Sequence, residues 1–303
     1  MTLNQLKYVV TVAGENSLND AAKKLFISQP SLSNAVSALE KKLGFSLFNR
    51  TKTGITVTAE REEFIGYARQ VLEQYELLDA RFINRRETKK KFSVSMQHYT
   101  FAVDAFMEVM RQYGMDSYEF EIYEDRTYEV IENVKNRRSE LGILYLNEFN
   151  EKVLKKLFAE NGLVFHPLFD CGLYVYLWKH HPLADRTVID MEDLQEYPCL
   201  SFAQGEHNSF YFAEEVLSTY QYKKIIKASD RATLLNLMVG MNGFTICSGI
   251  ICEELNGSEY VAVKLNSDEK MTIGYICAKD THISEIGACY LTEIQKYKEK
   301  AML

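Results

Sequence analysis

Ser17-Leu18-Asn19-Asp20-Ala21-Ala22-Lys23-Lys24-Leu25-Phe26, followed by Ile27 and then Ser28-Gln29-Pro30-Ser31-Leu32-Ser33-Asn34-Ala35-Val36-Ser37-Ala38-Leu39-Glu40-Lys41-Lys42-Leu43, reads as two short helices joined by a tight turn. Ser17 with Asp20 three residues on supplies a hydroxyl cap and a carboxylate in the first turn. Ser28 or Gln29 ahead of Pro30 marks a second start, because proline is tolerated where a helix does not yet need its N–H. Phe26 and Ile27 turn the corner. Leu32, Val36, Leu39 and Leu43 then recur at helical spacing as one apolar stripe. The other face opens with Gln29, Ser31, Ser33 and Asn34, short hydrogen-bonding side chains suited to base edges in a DNA major groove. A pair of amphipathic helices can also be a mere packing unit. The neighbouring residues decide between the two readings.

Before the pair lies another amphipathic segment carrying Leu3, Leu6, Val9, Val10 and Ala13. After it, Gly44 fits a helix end in the left-handed conformation. Phe45 to Thr58 reads as two short strands around a Lys52-Thr53-Gly54 turn, a wing beside the second helix. Arg50, Thr51 and Lys52 on that wing are expected near phosphates, with Ser28, Gln29, Pro30, Ser31, Ser33 and Asn34 at base edges or adjacent backbone.

The runs Ala21-Ala22-Lys23-Lys24-Leu25, Ser28-Gln29-Pro30-Ser31-Leu32-Ser33, Leu39-Glu40-Lys41-Lys42-Leu43-Gly44 and Leu47-Phe48-Asn49-Arg50 resemble the LysR-type transcriptional regulators. The likeness is dense over residues 1–58 and extends more thinly over the full layout. It departs at Asn34, where the family commonly has arginine, and at Val57-Thr58-Ala59-Glu60-Arg61, which replaces the family's usual close of the wing. The resemblance implies a winged helix-turn-helix at 1–58, a linker and dimerisation helix with hinge at 59–90, and an effector-binding domain at 91–303. That last domain is an α/β two-lobed module like a periplasmic binding protein, with lobe 1 at about 91–167 and 268–303 and lobe 2 at about 168–267.

Charge follows the same partition. The 303-residue chain carries a formal −7, yet residues 1–58 hold seven Lys/Arg against three Asp/Glu, and residues 59–90 hold seven of each, leaving −11 for the rest. A basic amino-terminal lobe on an acidic body favours phosphate contact at one end only. The start is too polar for a signal peptide, and no apolar run approaches the ~20 residues of a membrane span. The cysteines at 171, 199, 247, 252, 277 and 289 show neither metal-ligand spacing nor a disulfide framework. A reduced cytoplasm is the expected setting, without membrane contact.

Glu60 to Thr88 reads as one long helix whose Phe64, Tyr67, Val71, Tyr75, Leu78 and Phe82 form a near-heptad seam. Burial against a symmetry mate is expected, giving a homodimer with two reading helices on a pseudo-palindrome, and by resemblance a homotetramer. Arg85 to Lys91 reads as the hinge.

From Phe92 onward strand and helix signals alternate: strands at 92–96, 118–123 and 141–146 with helices at 101–113 and 128–137 between them, a βαβαβ order that predicts a mostly parallel sheet. Further strands are expected at 163–178, 199–202, 244–247, 260–265 and 271–278, and helices at 210–220, 231–239 and 284–300. By resemblance the chain crosses to lobe 2 near Leu168–Gly172 and returns near Asn266–Lys270. The turn His181-Pro182-Leu183-Ala184 and the helix end at 240–243 match the family in place, although Met241-Asn242 separate the glycines.

A ligand in such a module sits between lobes, at strand ends and helix N-termini. The expected effector contacts are Ser95, His98, Tyr99 and Thr100 in the first strand–helix turn, Thr127 at the next helix start, and Ser201 and Phe202 in lobe 2. Thr100, Thr127 and Ser201 match family positions for effector-binding hydroxyls, while Tyr99 and Phe202 would give an apolar wall.

Enzyme chemistry is poorly represented. The sequence has no Gly-rich phosphate loop, nucleophile elbow or His/Cys metal cluster. The pairs Glu62-Glu63, Glu214-Glu215 and Glu253-Glu254 are adjacent, so on a helix they would diverge. The chain therefore reads as a non-enzymatic regulator that binds double-stranded DNA and a small-molecule co-inducer, with no other cofactor. The competing class is a cytoplasmic small-molecule-binding protein, or an enzyme of unrecognised type, without functional DNA recognition.

Overall fold

Thr2 opens the first helix through a reciprocal capping box: its hydroxyl accepts from the Gln5 N–H, and the Gln5 side chain accepts from the Thr2 N–H at 3.0 Å. In the computed structural model this helix, α1, covers Leu3–Ala13; residues 1–15, 17–51, 54–57, 59–79, 89–113 and 117–301 are described. The chain divides into two compact units, one of Met1–Lys90 with Lys135–Arg138 and a second covering Lys91–Val134 and Ser139–Leu303.

In the first unit, Ser17 caps α2 (Leu18–Lys24) and Ser28 caps α3 (Gln29–Leu43), with Pro30 in its first turn. The corner between them includes Phe26 in the left-handed region, at φ +54°. Gly44 ends α3 at φ +81°, where a side chain would be strained. Leu32, Val36 and Leu39 are buried and meet Val9, Val12, Ala21 and Ala22, so the predicted stripe is the core of this unit. Strands β1 (Phe48–Thr51) and β2 (Gly54–Val57) pair antiparallel, with Phe48 opposite Val57. The wing is anchored to α3 because Glu40 Oε1 accepts from the Leu47 N–H at 2.7 Å and the Phe48 N–H at 3.3 Å. Helix α4 (Ala59–Leu78) buries Ile65 and Ala68, with Ile65 in this core. Of the predicted seam, Phe64 packs on the same core, Tyr67, Val71, Tyr75 and Leu78 are exposed, and Phe82 lies outside the described residues together with the rest of the expected helix from 80 to 88.

The second unit is two α/β lobes. The first holds β3 (Lys90–Met96), α5 (Thr100–Tyr113), β4 (Tyr118–Glu124), α6 (Thr127–Lys135), β5 (Leu141–Leu146), α7 (Glu151–Glu160) and β6 (Leu163–Cys171). Strand order is β4-β3-β5, then the returning strand, then β6. The chain leaves through Gly172–Leu173 and builds β7 (Tyr174–Trp178), β8 (Val188–Ile189), β9 (Cys199–Phe202), β10 (Ile225–Ala228), α8 (Arg231–Met241), β11 (Thr245–Cys247), α9 (Glu253–Asn256) and β12 (Tyr260–Leu265). It returns as β13 (Met271–Ala278), followed by α10 (Glu285–Gln295) and α11 (Tyr297–Ala301). The sheet of the second lobe runs β11-β7-β12-β8, beside a parallel β9–β10 pair.

Three expectations change here. β3 and β5 are parallel, but β13 runs antiparallel to both β5 and β6, because the strand re-enters the sheet from the opposite lobe. The helix expected over 210–220 is only a short 3-10 turn at Phe210–Phe212, and Leu217 stands at φ +61°. The final helix is interrupted at Lys296, between α10 and α11. The family-type turn at His181 is tied to the end of α8, since its Nε2 lies 3.1 Å from the Asn242 carbonyl oxygen and Asn242 takes the left-handed conformation at φ +49°.

Candidate functional site

Two surfaces carry chemistry, one in each unit. The first is the amino-terminal end of α3. Ser28 Oγ accepts from the Ser31 N–H at 3.3 Å and shares a hydrogen with Ser31 Oγ at 2.8 Å, which fixes the first turn. Ser28, Pro30, Ser31 and Asn34 are exposed and Gln29 and Ser33 are half-buried, whereas Leu32, Val36 and Leu39 of the same helix are buried. Arg50 and Thr51 belong to β1, but their side chains lie outside the described residues, as does Lys52 altogether.

The second surface is a cavity of about 100 Å³ between the lobes of the second unit. That is several times the ~10–15 Å³ that one water requires. From the first lobe His98, Tyr99, Thr100 and Phe101 line it at the β3–α5 turn; from the second come Tyr176, Phe202, Glu214, Glu215, Arg231 and Asn256. The His98 ring stacks on Phe202, with centroids 3.8 Å apart and planes 6° from parallel. Glu214 clasps the lobes: its Oε2 accepts from the His98 N–H at 3.0 Å and lies 2.8 Å from His98 Nδ1, while its Oε1 accepts from Gln204 Nε2 at 2.9 Å. Arg231 makes a second clasp, donating to Thr100 Oγ1 and Glu124 Oε1. Asn256 Nδ2 donates to Thr100 Oγ1 at 3.2 Å and Tyr176 Oη at 3.1 Å.

Burial, and then the neighbouring Glu214 charge, push the Glu215 carboxyl up to about 8. Burial lowers the Arg231 guanidinium to about 10 and raises the Cys247 thiol to about 12. The buried Cys171 thiol is likewise raised to about 12, leaving little thiolate at neutral pH.

The cavity brings together His98, Tyr99, Thr100 and Phe202 of the expected contacts. It does not bring in Ser95, Thr127 or Ser201. Ser95 is fully buried within lobe 1, sharing a hydrogen with Ser139 Oγ at 2.8 Å and accepting from Asn133 Nδ2 at 3.0 Å. Thr127 Oγ1 accepts from Gln97 Nε2 at 2.6 Å and donates to the Phe212 carbonyl at 2.7 Å, so its one donor hydrogen is taken up within the chain. Ser201 sits in β9 beside Lys227, one residue short of the cavity wall.

Comparison with known proteins bears on both units. Residues 3–60 match the description "Bacterial regulatory helix-turn-helix protein, lysR family", and residues 97–295 match "LysR substrate binding domain". The chain belongs to the LysR family. Among curated relatives, the HTH-type transcriptional regulator BsdA of Bacillus subtilis is 27% identical over 256 residues, covering 81% of this chain and 83% of that protein. A probable RuBisCO transcriptional regulator of Phaeodactylum tricornutum is 24% identical, covering 99% and 98%. Full-length OxyR C199D from Pseudomonas aeruginosa shares the fold at 20% identity and TM-score 0.68, over 97% of this chain and 95% of that one. Full-length CbnR complexed with target DNA gives TM-score 0.57 at 19% identity, over 98% and 99%.

This LysR-family protein is a DNA-binding transcriptional regulator with an effector-binding domain. Among the described residues no helix is long and apolar enough to cross a membrane. Sequence reasoning missed Glu214, Glu215, Arg231, Asn256 and Tyr176 in the regulator's cavity. Only Arg231 left a usable signal, since Asp230 caps α8 through the Thr233 N–H at 2.8 Å and so places Arg231 at a helix start. Glu214 and Glu215 do not diverge around a helix: their backbone is irregular, and both side chains reach the cavity.

Proposed function

We propose that this LysR-family regulator reads duplex DNA with the exposed start of α3 as a cytoplasmic homodimer, paired again into a homotetramer, and that a small-molecule effector in the interlobe cavity sets its activity. The observation that carries the reading is the exposed, capped Ser28–Asn34 face backed by a buried Leu32-Val36-Leu39 core. Gln29, Pro30, Ser31, Ser33 and Asn34 would meet base edges or nearby backbone, with Arg50, Thr51 and Lys52 on phosphates. The exposed Tyr67, Val71, Tyr75 and Leu78 of α4 favour burial against a second copy. Effector binding that favours one arrangement of the lobes changes DNA affinity by a coupling of ~1–3 kcal/mol. The regulator's work is recognition, with no bond-making step and no cofactor beyond the effector.

Ser33→Arg tests the reading helix. Ser33 is half-buried on the polar side of α3, so the substitution is expected to keep the helical signal and the melting temperature while shifting base preference, with ~1–3 kcal/mol of discrimination moved per affected base pair. Binding to randomised duplexes reads the change in preference, and thermal melting followed by circular dichroism reads the fold. An unchanged preference in a folded variant would remove α3 from the role assigned to it.

A further inference from the structure

The interlobe cavity holds two adjacent acidic side chains, and only one of them has a basic side chain within hydrogen-bond reach. Glu214 and Glu215 each retain only 7% exposure and both line it. Glu214 is satisfied by His98 and Gln204. Glu215 accepts from the Phe202 N–H at 2.9 Å, yet among the described residues it forms no salt bridge, and Lys227 is the least of the influences on its titration. Arg231 is the one Lys or Arg among the described residues lining the cavity, and its guanidinium is already engaged by Glu124 and Thr100. The remaining walls are largely aromatic and aliphatic, with Tyr99, Phe101, Tyr176 and Phe202 among them.

Without a cation this buried carboxyl stays largely protonated near neutral pH, and a cation arriving from outside would gain an ion pair as the carboxyl proton leaves to solvent. A carboxylate ligand would meet Glu214 and Glu215 at close range. An ammonium would neutralise Glu215, and its carbon body would lie against aromatic faces that attract cations.

We propose that the effector of this regulator is a small organic cation whose ammonium group sits against Glu215 and whose apolar body packs on Tyr176 and Phe202. The inference rests on the reading of this cavity as the effector site and names the ligand's charge class.

Isothermal titration of the full-length regulator with charge-matched pairs tests it: phenethylamine against 3-phenylpropionate, and agmatine and choline against benzoate. The expected result is binding of at least one amine, its matched carboxylate weaker by about tenfold or more, and a loss of at least about thirtyfold in Glu215→Gln. Amine binding that is undiminished in a folded Glu215→Gln overturns the inference, as does failure of every amine to bind. If a carboxylate binds instead, Leu235→Trp, which narrows the cavity that Leu235 lines from α8, tells whether the charge class alone has failed or the site as well. Loss of carboxylate binding in that variant leaves the cavity as effector site and makes the cation wrong; survival of binding makes both wrong.

Discussion

Glu215→Gln is expected to raise the melting temperature at pH 8 and to change it much less at pH 5. The carboxyl titrates at about 8 in the folded protein against an ordinary value of 4.5, because burial and the Glu214 charge both resist ionisation. The folded state therefore binds more protons than the unfolded chain between those values, and stability falls as pH rises through that window. Keeping the carboxylate ionised above pH 8 costs up to ~5 kcal/mol, and relaxation or water entry reduces this to roughly 2–4 kcal/mol. Glutamine keeps the shape and the hydrogen bond from the Phe202 N–H while removing the charge. For a chain of 303 residues the gain corresponds to a rise of roughly 3–6 °C. Calorimetry of wild type and variant at the two pH values measures it. A drop in stability at pH 8 would mean that Glu215 is stabilised as an anion, contrary to its surroundings in the cavity.

Phe101→Ala is expected to destabilise the effector-binding unit by about 3–5 kcal/mol, the range for truncating a buried aromatic. Phe101 is 2% exposed, stacks on Tyr99 with centroids 5.1 Å apart, and faces Phe169 and Tyr297 at centroid distances of 6.3 and 5.7 Å. It also lines the effector cavity, so the same ring serves the core and the ligand wall. Equilibrium urea unfolding followed through this unit would show the loss, and Phe101→Leu should recover more than half of it by refilling most of the volume. A loss below about 1 kcal/mol for the alanine variant would place Phe101 in a region able to collapse around the gap.

How much could be read from the chain depended on whether each signal was local. The α3 cap at Ser28, Pro30 in its first turn and the left-handed Gly44 are choices made by a few adjacent residues, and each appears where the sequence places it. The strands Leu141–Leu146 and Met271–Ala278 were legible as continuous apolar runs because both sit inside the first-lobe sheet. Strand direction was less accessible: the antiparallel entry of β13 follows from the whole second lobe being threaded between β6 and β13.

The cavity was half legible. His98 to Thr100 sit in a strand–helix turn, and that local feature places them on the interlobe face. The Glu214-Glu215 pair lies in a segment that reads as helical in the sequence but folds irregularly beyond Phe210–Phe212. Its course is set by long-range bonds, among them Thr127 to the Phe212 carbonyl at 2.7 Å and Tyr145 Oη to the Ala213 carbonyl at 3.0 Å. Ser95 and Thr127 are the opposite case. They occupy the expected places in the fold, but Ser139, Asn133, Gln97 and Phe212 take up their hydroxyls.

Selection of bound sequences from random duplex DNA by the purified full-length regulator, at two salt concentrations, bears most directly on the central claim. Recognition by paired α3 helices predicts enrichment of an interrupted palindrome, with affinity falling steeply as salt rises because each phosphate contact releases counterions. Absence of enrichment at both salt concentrations, from protein that is folded and dimeric, would contradict sequence reading by α3.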